Sequence, residues 1–341
     1  MFPVSQIIAR NLGRSKPAGS ALWINPEKDD CWQAVQSACS SLKLFSQDFS
    51  SYAFLRHTGA NIDFAAFPGK NDKHYDWIIL NLPRQKALLG MMLDCASRLL
   101  APGGVMWLAG ENKAGIKSSE KLLKLHFEQT RKLDNARHCS LFEAHTPLNR
   151  GSFDPLPYRD TWDLTCGNSP LKVVSFPGVF AHGRLDNGTA LLLQTLSTIK
   201  LEGDVLDFAC GAGIIGSCIG ATHANTSLTL LDTSALALEA CSETLAANQL
   251  NGTIQASDGL SELSGSFDVI VSNPPIHAGA RTDSRLGVRL LEPVHEHIRP
   301  GGKLILVANV HLPYENWLKT CFRRFDELAA NEHYKVILAT R

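Results

Sequence analysis

Asn273-Pro274-Pro275 closes an apolar run, Phe267-Asp268-Val269-Ile270-Val271-Ser272, that has the composition of a buried strand. Two prolines remove two backbone donors and stiffen the chain. The residue before a proline is driven to an extended conformation. The tripeptide therefore holds one side-chain amide and one or two backbone carbonyls at the lip of a sheet. Such oxygens accept hydrogen bonds from an amino group. Read alone, the same residues are a strand-ending turn, so the rest of the chain decides between the two.

The densest chemistry lies upstream. Gly203-Asp204-Val205-Leu206-Asp207-Phe208 reads as a strand with Asp207 near its end, followed by Ala209-Cys210-Gly211-Ala212-Gly213 and a helix from Ile214. Glycines at this turn let a ligand approach the backbone, because no Cβ blocks it. The spacing Gly211-x-Gly213-x-x-Gly216, with Asp232 about twenty residues on, matches a dinucleotide fingerprint. A nicotinamide-dependent oxidoreductase is therefore one candidate. Asp232 ends the strand 227–231, where a carboxylate can take both hydroxyls of a ribose. Asp258-Gly259 ends a third short strand, 253–256, where a carboxylate can meet an adenine amino group. Asp186 is placed to cap a helix, with Gly188 and Thr189 exposing amides at its start.

The elements that must position these groups alternate strand and helix, the mark of a mostly parallel sheet covered by helices. The alternation occurs twice. Tyr75-Asp76, an apolar strand, Asn81-Leu82-Pro83, a helix at 85–100, then Pro102-Gly103-Gly104 and a strand at 105–110 parallel the second half's Phe267-Asp268, Asn273-Pro274-Pro275, Pro300-Gly301-Gly302 and 303–309. Two related domains in one chain are the simplest account, with the junction in the Pro/Gly-rich stretch 145–158: residues 1–150 and 151–341. In the first half, strands are expected at 20–25, 52–55 and 62–65, with a helix at 28–42. A β-hairpin is expected across 161–175. The first half has Asn25-Pro26-Glu27 where the second has its glycine turn, so no cofactor site is expected there.

The 341 residues carry no net charge, but the halves differ: residues 1–150 hold 19 Lys/Arg against 13 Asp/Glu, and residues 151–341 hold 14 against 20. The basic half suggests contact with a polyanion. Lys113 and Lys117, with Lys121 and Lys124, are candidates for phosphate contact; a solvated helix face is the competing reading. Nine scattered cysteines without a Cys-x-x-Cys pair are expected to be reduced, and no metal site is expected. No apolar run is long enough to cross a bilayer, and Met1 to Gln6 lacks the regions of a secretory leader. A cytoplasmic, membrane-free, monomeric protein is expected.

The order glycine turn, ribose acid, adenine-side acid, Asn-Pro-Pro resembles class I S-adenosylmethionine-dependent methyltransferases, as does a closing hairpin at 325–339. With a degenerate first domain and the segments at 110–118, 177–180, 185–188, 272–275 and 307–314, the chain resembles the RsmC family of ribosomal RNA guanine-N2 methyltransferases. The resemblance implies an α/β fold of two tandem Rossmann-like domains from duplication. It gives the C-terminal domain a seven-stranded, mostly parallel sheet with a final antiparallel hairpin. It implies S-adenosylmethionine held by Phe180, Asp186, Gly188, Asp207, Cys210, Gly211, Gly213, Asp232, Asp258, Gly259 and Asn273. It implies methyl transfer to a guanine of 16S rRNA in the small ribosomal subunit, with Asn273, Pro274, Pro275 and Ile276 at the reacting amine. In Asn-Pro-Pro methyltransferases the residue at 276 is usually aromatic and stacks on the base; isoleucine gives an apolar wall instead, and Phe180 or His277 could supply the missing face. Arg281, Arg285 and Arg289 are candidate phosphate contacts near the flipped base, against a solvated helix face. The large-subunit 23S rRNA, or the glutamine side chain of a protein, remain alternative substrates.

Overall fold

The computed structural model describes residues 1–14, 19–69, 74–149, 151–274, 292–312 and 314–341. The chain forms two compact units, Met1–Tyr158 and Arg159–Arg341, so the division falls after Tyr158 rather than after Arg150.

The first unit contains β1 (Ser20–Ile24), β2 (Ser41–Ser46), β3 (Ile62–Phe64), β4 (Tyr75–Asn81), β5 (Leu100–Glu111), β6 (Phe127–Ala136) and β7 (Cys139–Pro147). They form one sheet of order β3-β2-β1-β4-β5-β7-β6. In the second unit β8 (Asp160–Cys166) and β9 (Ser169–Ser175) pair as the expected antiparallel hairpin. The main sheet follows: β10 (Gly203–Phe208), β11 (Thr226–Asp232), β12 (Thr253–Ala256), β13 (Phe267–Ser272), β14 (Ile298–Asn309), β15 (Arg324–Ala330) and β16 (Tyr334–Thr340). Its order is β12-β11-β10-β13-β14-β16-β15. Both units thus follow one plan, and the first also carries an antiparallel end, because β7 runs against β5 and β6, as β16 runs against β14 and β15. Among the helices that pack on these sheets are α1 (Phe49–His57) in the first unit, and α2 (Asn187–Leu196) and α3 (Ile214–Thr222) in the second.

The repeated aromatic-Asp pairs have the same job in both units. Asp76 Oδ2 accepts the Ser20 N–H at 2.8 Å, and Asp268 Oδ2 accepts the Asp204 N–H at 2.8 Å. The glycine preceding each donor makes the approach possible: a Cβ on Gly19 or Gly203 would lie 2.1 Å from the carboxylate oxygen. The central strands are buried on both faces, as parallel sheets require. In the second unit Leu206, Ile270, Leu304 and Leu306 pack on one side with Trp317 and Phe322, and Val205, Val271 and Ile305 on the other with Leu192, Ile219 and Leu245.

Four expectations change. Residues 52–55 are helical, inside α1, whose N-cap Asp48 accepts the Ser51 N–H. A short aromatic run does not distinguish strand from helix. The helix expected over 28–42 is only Cys31–Ala38, and Ser41 already opens β2. Lys117, Lys121 and Lys124, expected to share one helix face, do not line one helix. Lys117 sits on the short turn Ile116–Ser119, and Lys121 and Lys124 within and just after the single turn Glu120–Leu123, while Lys113 lies on the earlier turn Asn112–Ala114, all before β6 begins. Finally, Cys166 and Cys218 are joined as a disulfide, Cα–Cα 5.6 Å, because the β8–β9 turn lies against α3, which carries Cys218. The other seven cysteines are free thiols. Among the described residues no helix is long and apolar enough to cross a membrane, and no cluster of His, Cys, Asp and Glu could hold a metal ion.

Candidate active site

The sheet order places the carboxyl ends of β12, β11, β10 and β13 side by side, the edge where open α/β sheets bind ligands. After β10 the chain turns through Ala209 (φ 58°), Gly211 (φ 54°) and Gly213 (φ 73°) into α3. Gly213 is the N-cap of that helix, and a Cβ there would lie 2.7 Å from Cys241 Sγ. Gly211 is different: a Cβ added to it would meet nothing within 4 Å. Packing requires the glycine at 213. At 211 the left-handed backbone favours glycine, and the turn borders open space.

Asp207 is fully buried, and its Oδ2 accepts the Gly216 N–H at 2.8 Å in the first turn of α3. Its Oδ1 has no hydrogen-bond partner. Burial pushes its carboxyl up to about 7; the neighbouring Asp232 charge adds to the rise and the Gly216 N–H opposes it. Asp232 does more than end β11. Its Oδ2 accepts the Gly211 N–H at 2.9 Å and its Oδ1 the Ser234 N–H at 2.9 Å, so it pins the glycine turn to the neighbouring strand. Cys210 is buried against Cys241, whose hydrogen bond, together with burial, holds the Cys210 thiol well above its ordinary range. Asp258 is exposed just beyond β12, followed by Gly259 at φ 60°. The Ser257 N–H beside them donates to the Asp232 carbonyl at 3.2 Å.

Asn273 follows β13 directly. Its Nδ2 donates to Asp186 Oδ2 at 3.1 Å and to Thr189 Oγ1 at 2.9 Å. Asp186 caps α2, accepting the Thr189 N–H at 3.0 Å. Gly188 is buried, and a Cβ on it would lie 3.0 Å from the Tyr334 ring. Phe180 is 59% exposed, on a turn whose base is tied by Ser175 Oγ to His182 Nδ1 at 2.8 Å and to the Gly183 N–H at 3.2 Å.

The sequence-derived residues Asp186, Gly188, Asp207, Cys210, Gly211, Gly213, Asp232, Asp258, Gly259, Asn273 and Pro274 all belong to the second unit and gather at these strand ends and the α2 start. Lys113 and Lys117 are exposed in the first unit, with Lys113 paired to Glu111 at 3.1 Å. Pro275, Ile276, His277, Arg281, Arg285 and Arg289 lie outside the described residues. Sequence reasoning missed the part of Thr189 in holding Asn273, and the double anchoring of the turn by Asp232. The Asp186-x-x-Thr189 spacing signals a helix cap, but nothing local reports a partner 84 residues away.

The Methyltransferase small domain family matches residues 170–338, and its N-terminal companion, Methyltransferase small domain N-terminal, matches residues 5–158. Ribosomal RNA small subunit methyltransferase C of Shewanella loihica is 33% identical over 334 residues, covering 97% of each chain. Its namesake in Pseudomonas entomophila is 40% identical over 271 residues, covering 78% of this chain and 80% of that one. Among solved structures, the T. thermophilus 16S rRNA N2 G1207 methyltransferase (RsmC), in complex with AdoMet and guanosine, superposes with a TM-score of 0.86 at 23% identity. That match covers 100% of this chain and 92% of that one. Two seven-stranded sheets of one plan, a glycine turn held by Asp232 and relatives of a single name, one of them matched over 97% of each chain, agree: the chain belongs to the ribosomal RNA small subunit methyltransferase C family.

Proposed function

We propose that this chain transfers a methyl group from S-adenosylmethionine to the exocyclic N2 amine of a guanine in 16S rRNA. The observation that carries the chemistry is the Asn273 amide, whose nitrogen is held by Asp186 and Thr189 at the end of β13. That arrangement leaves the oxygen, at the opposite end of the planar amide, as an acceptor for an amine.

The residues fit the cofactor. Gly211 leaves its backbone approachable. A carboxylate has about four acceptor positions, so Asp232 can hold the turn and accept from a ribose diol. Asp258, exposed beyond β12, suits an adenine amino group. The buried Asp207 Oδ1, without a partner, suits a cationic or N–H-bearing group brought to the glycine turn. The cofactor would supply an electrophilic methyl on a sulfonium, with a neutral thioether as the leaving group and one amine proton released to solvent. The protein's part is orientation: Asn273 Oδ1 and the Pro274 carbonyl accept the two N–H bonds of the guanine amine. This fixes the nitrogen and lets its lone pair leave conjugation with the ring. Most of the gain is positioning and electrostatics, without a strong general base. The guanine leaves its stack to reach the strand ends.

The first unit, with no glycine turn, serves in this reading as RNA docking or structural support. The second unit carries every candidate cofactor-binding and catalytic residue, so one chain suffices as the working form, in the cytoplasm beside the ribosome. Mapping the methylated nucleotide after incubation with unmodified small subunits tests the proposal. A new N2-methylguanine in 16S rRNA is expected, and the guanine corresponding to G1207, named for the Thermus enzyme, is the first to inspect. Modification of 23S rRNA alone, or of no guanine, would contradict it.

A further inference from the structure

A primary amide has two ends of similar size, and its neighbours decide which end faces the substrate. At Asn273 the neighbours leave no choice. Asp186 Oδ2, 3.1 Å away, is a carboxylate oxygen, already accepting the Thr189 N–H at 3.0 Å. Only the –NH2 end can face it. The second amide hydrogen goes to Thr189 Oγ1 at 2.9 Å. Both donors are thereby used, and among the described residues none donates to the oxygen, the end that faces an incoming amine. An inverted amide would set oxygen against oxygen at Asp186.

The holder is itself rigid. Asp186 caps a ten-residue helix, α2, that packs on β14 and β16, and Gly188 beside it fits against the Tyr334 ring of β16. Asn273 is fixed from the other side by β13, whose last residue, Ser272, donates its hydroxyl to the Phe208 carbonyl of β10 at 2.8 Å. The contact joins two elements 87 residues apart in sequence. A helix cap alone needs only the Thr189 N–H; the reach to Asn273 goes beyond capping.

We propose that Asp186 and Thr189 are positioning residues for methyl transfer: they lock the Asn273 amide with its oxygen toward the target amine. This rests on the reading that Asn273 grips that amine. It moves Asp186 from the cofactor, where the sequence resemblance placed it, to the orientation of a neighbouring side chain.

A hydrogen-bond swap tests it in the full chain, with single-turnover transfer to unmodified small subunits, cofactor titration and thermal unfolding measured for every variant. Asn273→Asp faces one carboxylate with another and should slow transfer by about a hundredfold. Asp186→Asn keeps a competent helix cap but loosens the amide's orientation. It should slow transfer about five- to tenfold, with cofactor affinity within about twofold. In the double variant, Asp186→Asn with Asn273→Asp, the new amide at position 186 can donate to the new carboxylate at position 273. The contact is restored with its direction reversed, and a carboxylate oxygen is left outward. This variant should recover about tenfold over Asn273→Asp alone. Thr189→Val should slow transfer and Thr189→Ser restore it. A folded, cofactor-binding double variant no faster than Asn273→Asp would overturn the proposal. So would an Asp186→Asn chain whose only defect is weaker cofactor binding. Asn273→Ala in the same series separates the two readings: full transfer there removes the role of Asn273 itself, whatever the swap does.

Discussion

Asn81 and Asn273 close the fourth strand of two sheets built to one plan, and their amides are used in opposite ways. Each stands five residues after the aspartate that ties its strand to the first, Asp76 or Asp268. At Asn81 the oxygen is consumed: the Trp23 indole N–H donates to it at 2.9 Å, while the buried Nδ2 has no partner. At Asn273 the nitrogen is consumed, and among the described residues none donates to the oxygen. The other positions diverge in step. Trp23 and Asp207 both stand three residues after the tied donor, Ser20 or Asp204. Ser46 ends β2 where Asp232 ends β11, and its hydroxyl turns to the Asp48 carbonyl at 2.8 Å. The turn's backbone persists, Asn25 at φ 54° matching Ala209 at φ 58°, but Pro26-Glu27 follow where Cys210-Gly211 stand. One scaffold has carboxylates and a glycine turn at its strand ends; the other has filled the matching positions with side chains such as Trp23, which takes up the Asn81 oxygen. A sheet plan therefore carries no activity by itself.

The contrast can be broken most sharply at the two asparagines. Asn273→Ala should lower single-turnover transfer by about 10²–10³-fold, with cofactor affinity within about threefold by calorimetric titration. Asn81→Ala should leave transfer unchanged and lower stability by about 1–3 kcal/mol, since the buried Trp23 indole loses its acceptor. The next contrast is Asp207 against Trp23. Burial raises the Asp207 carboxyl from 3.8 to about 7, so over that interval the folded chain keeps a proton that the unfolded chain has released. Its contribution to stability is complete below about pH 4 and is lost as pH rises toward 7. Asp207→Asn should flatten this fall, of order 2–4 kcal/mol, in urea unfolding followed between pH 4 and 8. Asp232→Ala removes the carboxylate that holds the turn and that, in the proposed function, accepts from the ribose. It should weaken cofactor binding by about 10–100-fold, and Ser46→Asp should create no second site. The smallest expected effect concerns the whole first unit. Residues 159–341 alone should bind cofactor but methylate subunits about tenfold more slowly than the full chain, if the basic first unit supplies phosphate contacts. Equal turnover by the isolated unit would leave the first unit no docking role.

Much of this was legible in the sequence because it depends on local chemistry. Glycine at 211 and 213, acids at or next to the ends of β10 and β11 and prolines after Asn273 each leave a mark within a few residues, as does the repeat of Asp76 and Asp268. What escaped was of two kinds. Short amphipathic runs such as 52–55 carry both periods, and only packing chose the helix. Side-chain contacts over long separations leave no local mark: nothing near Asn81 reports Trp23, and nothing near Asn273 reports Asp186. The polarity of the two amides, on which the difference between the units turns, is fixed only in three dimensions.

The central claim is that one unit binds S-adenosylmethionine and the other, on the same plan, does not. Calorimetric titration of the full chain tests it directly. The account predicts one binding site per chain, weakened by Asp232→Ala and untouched by Ser46→Ala. Two sites per chain, or one that keeps full affinity in Asp232→Ala, would contradict it.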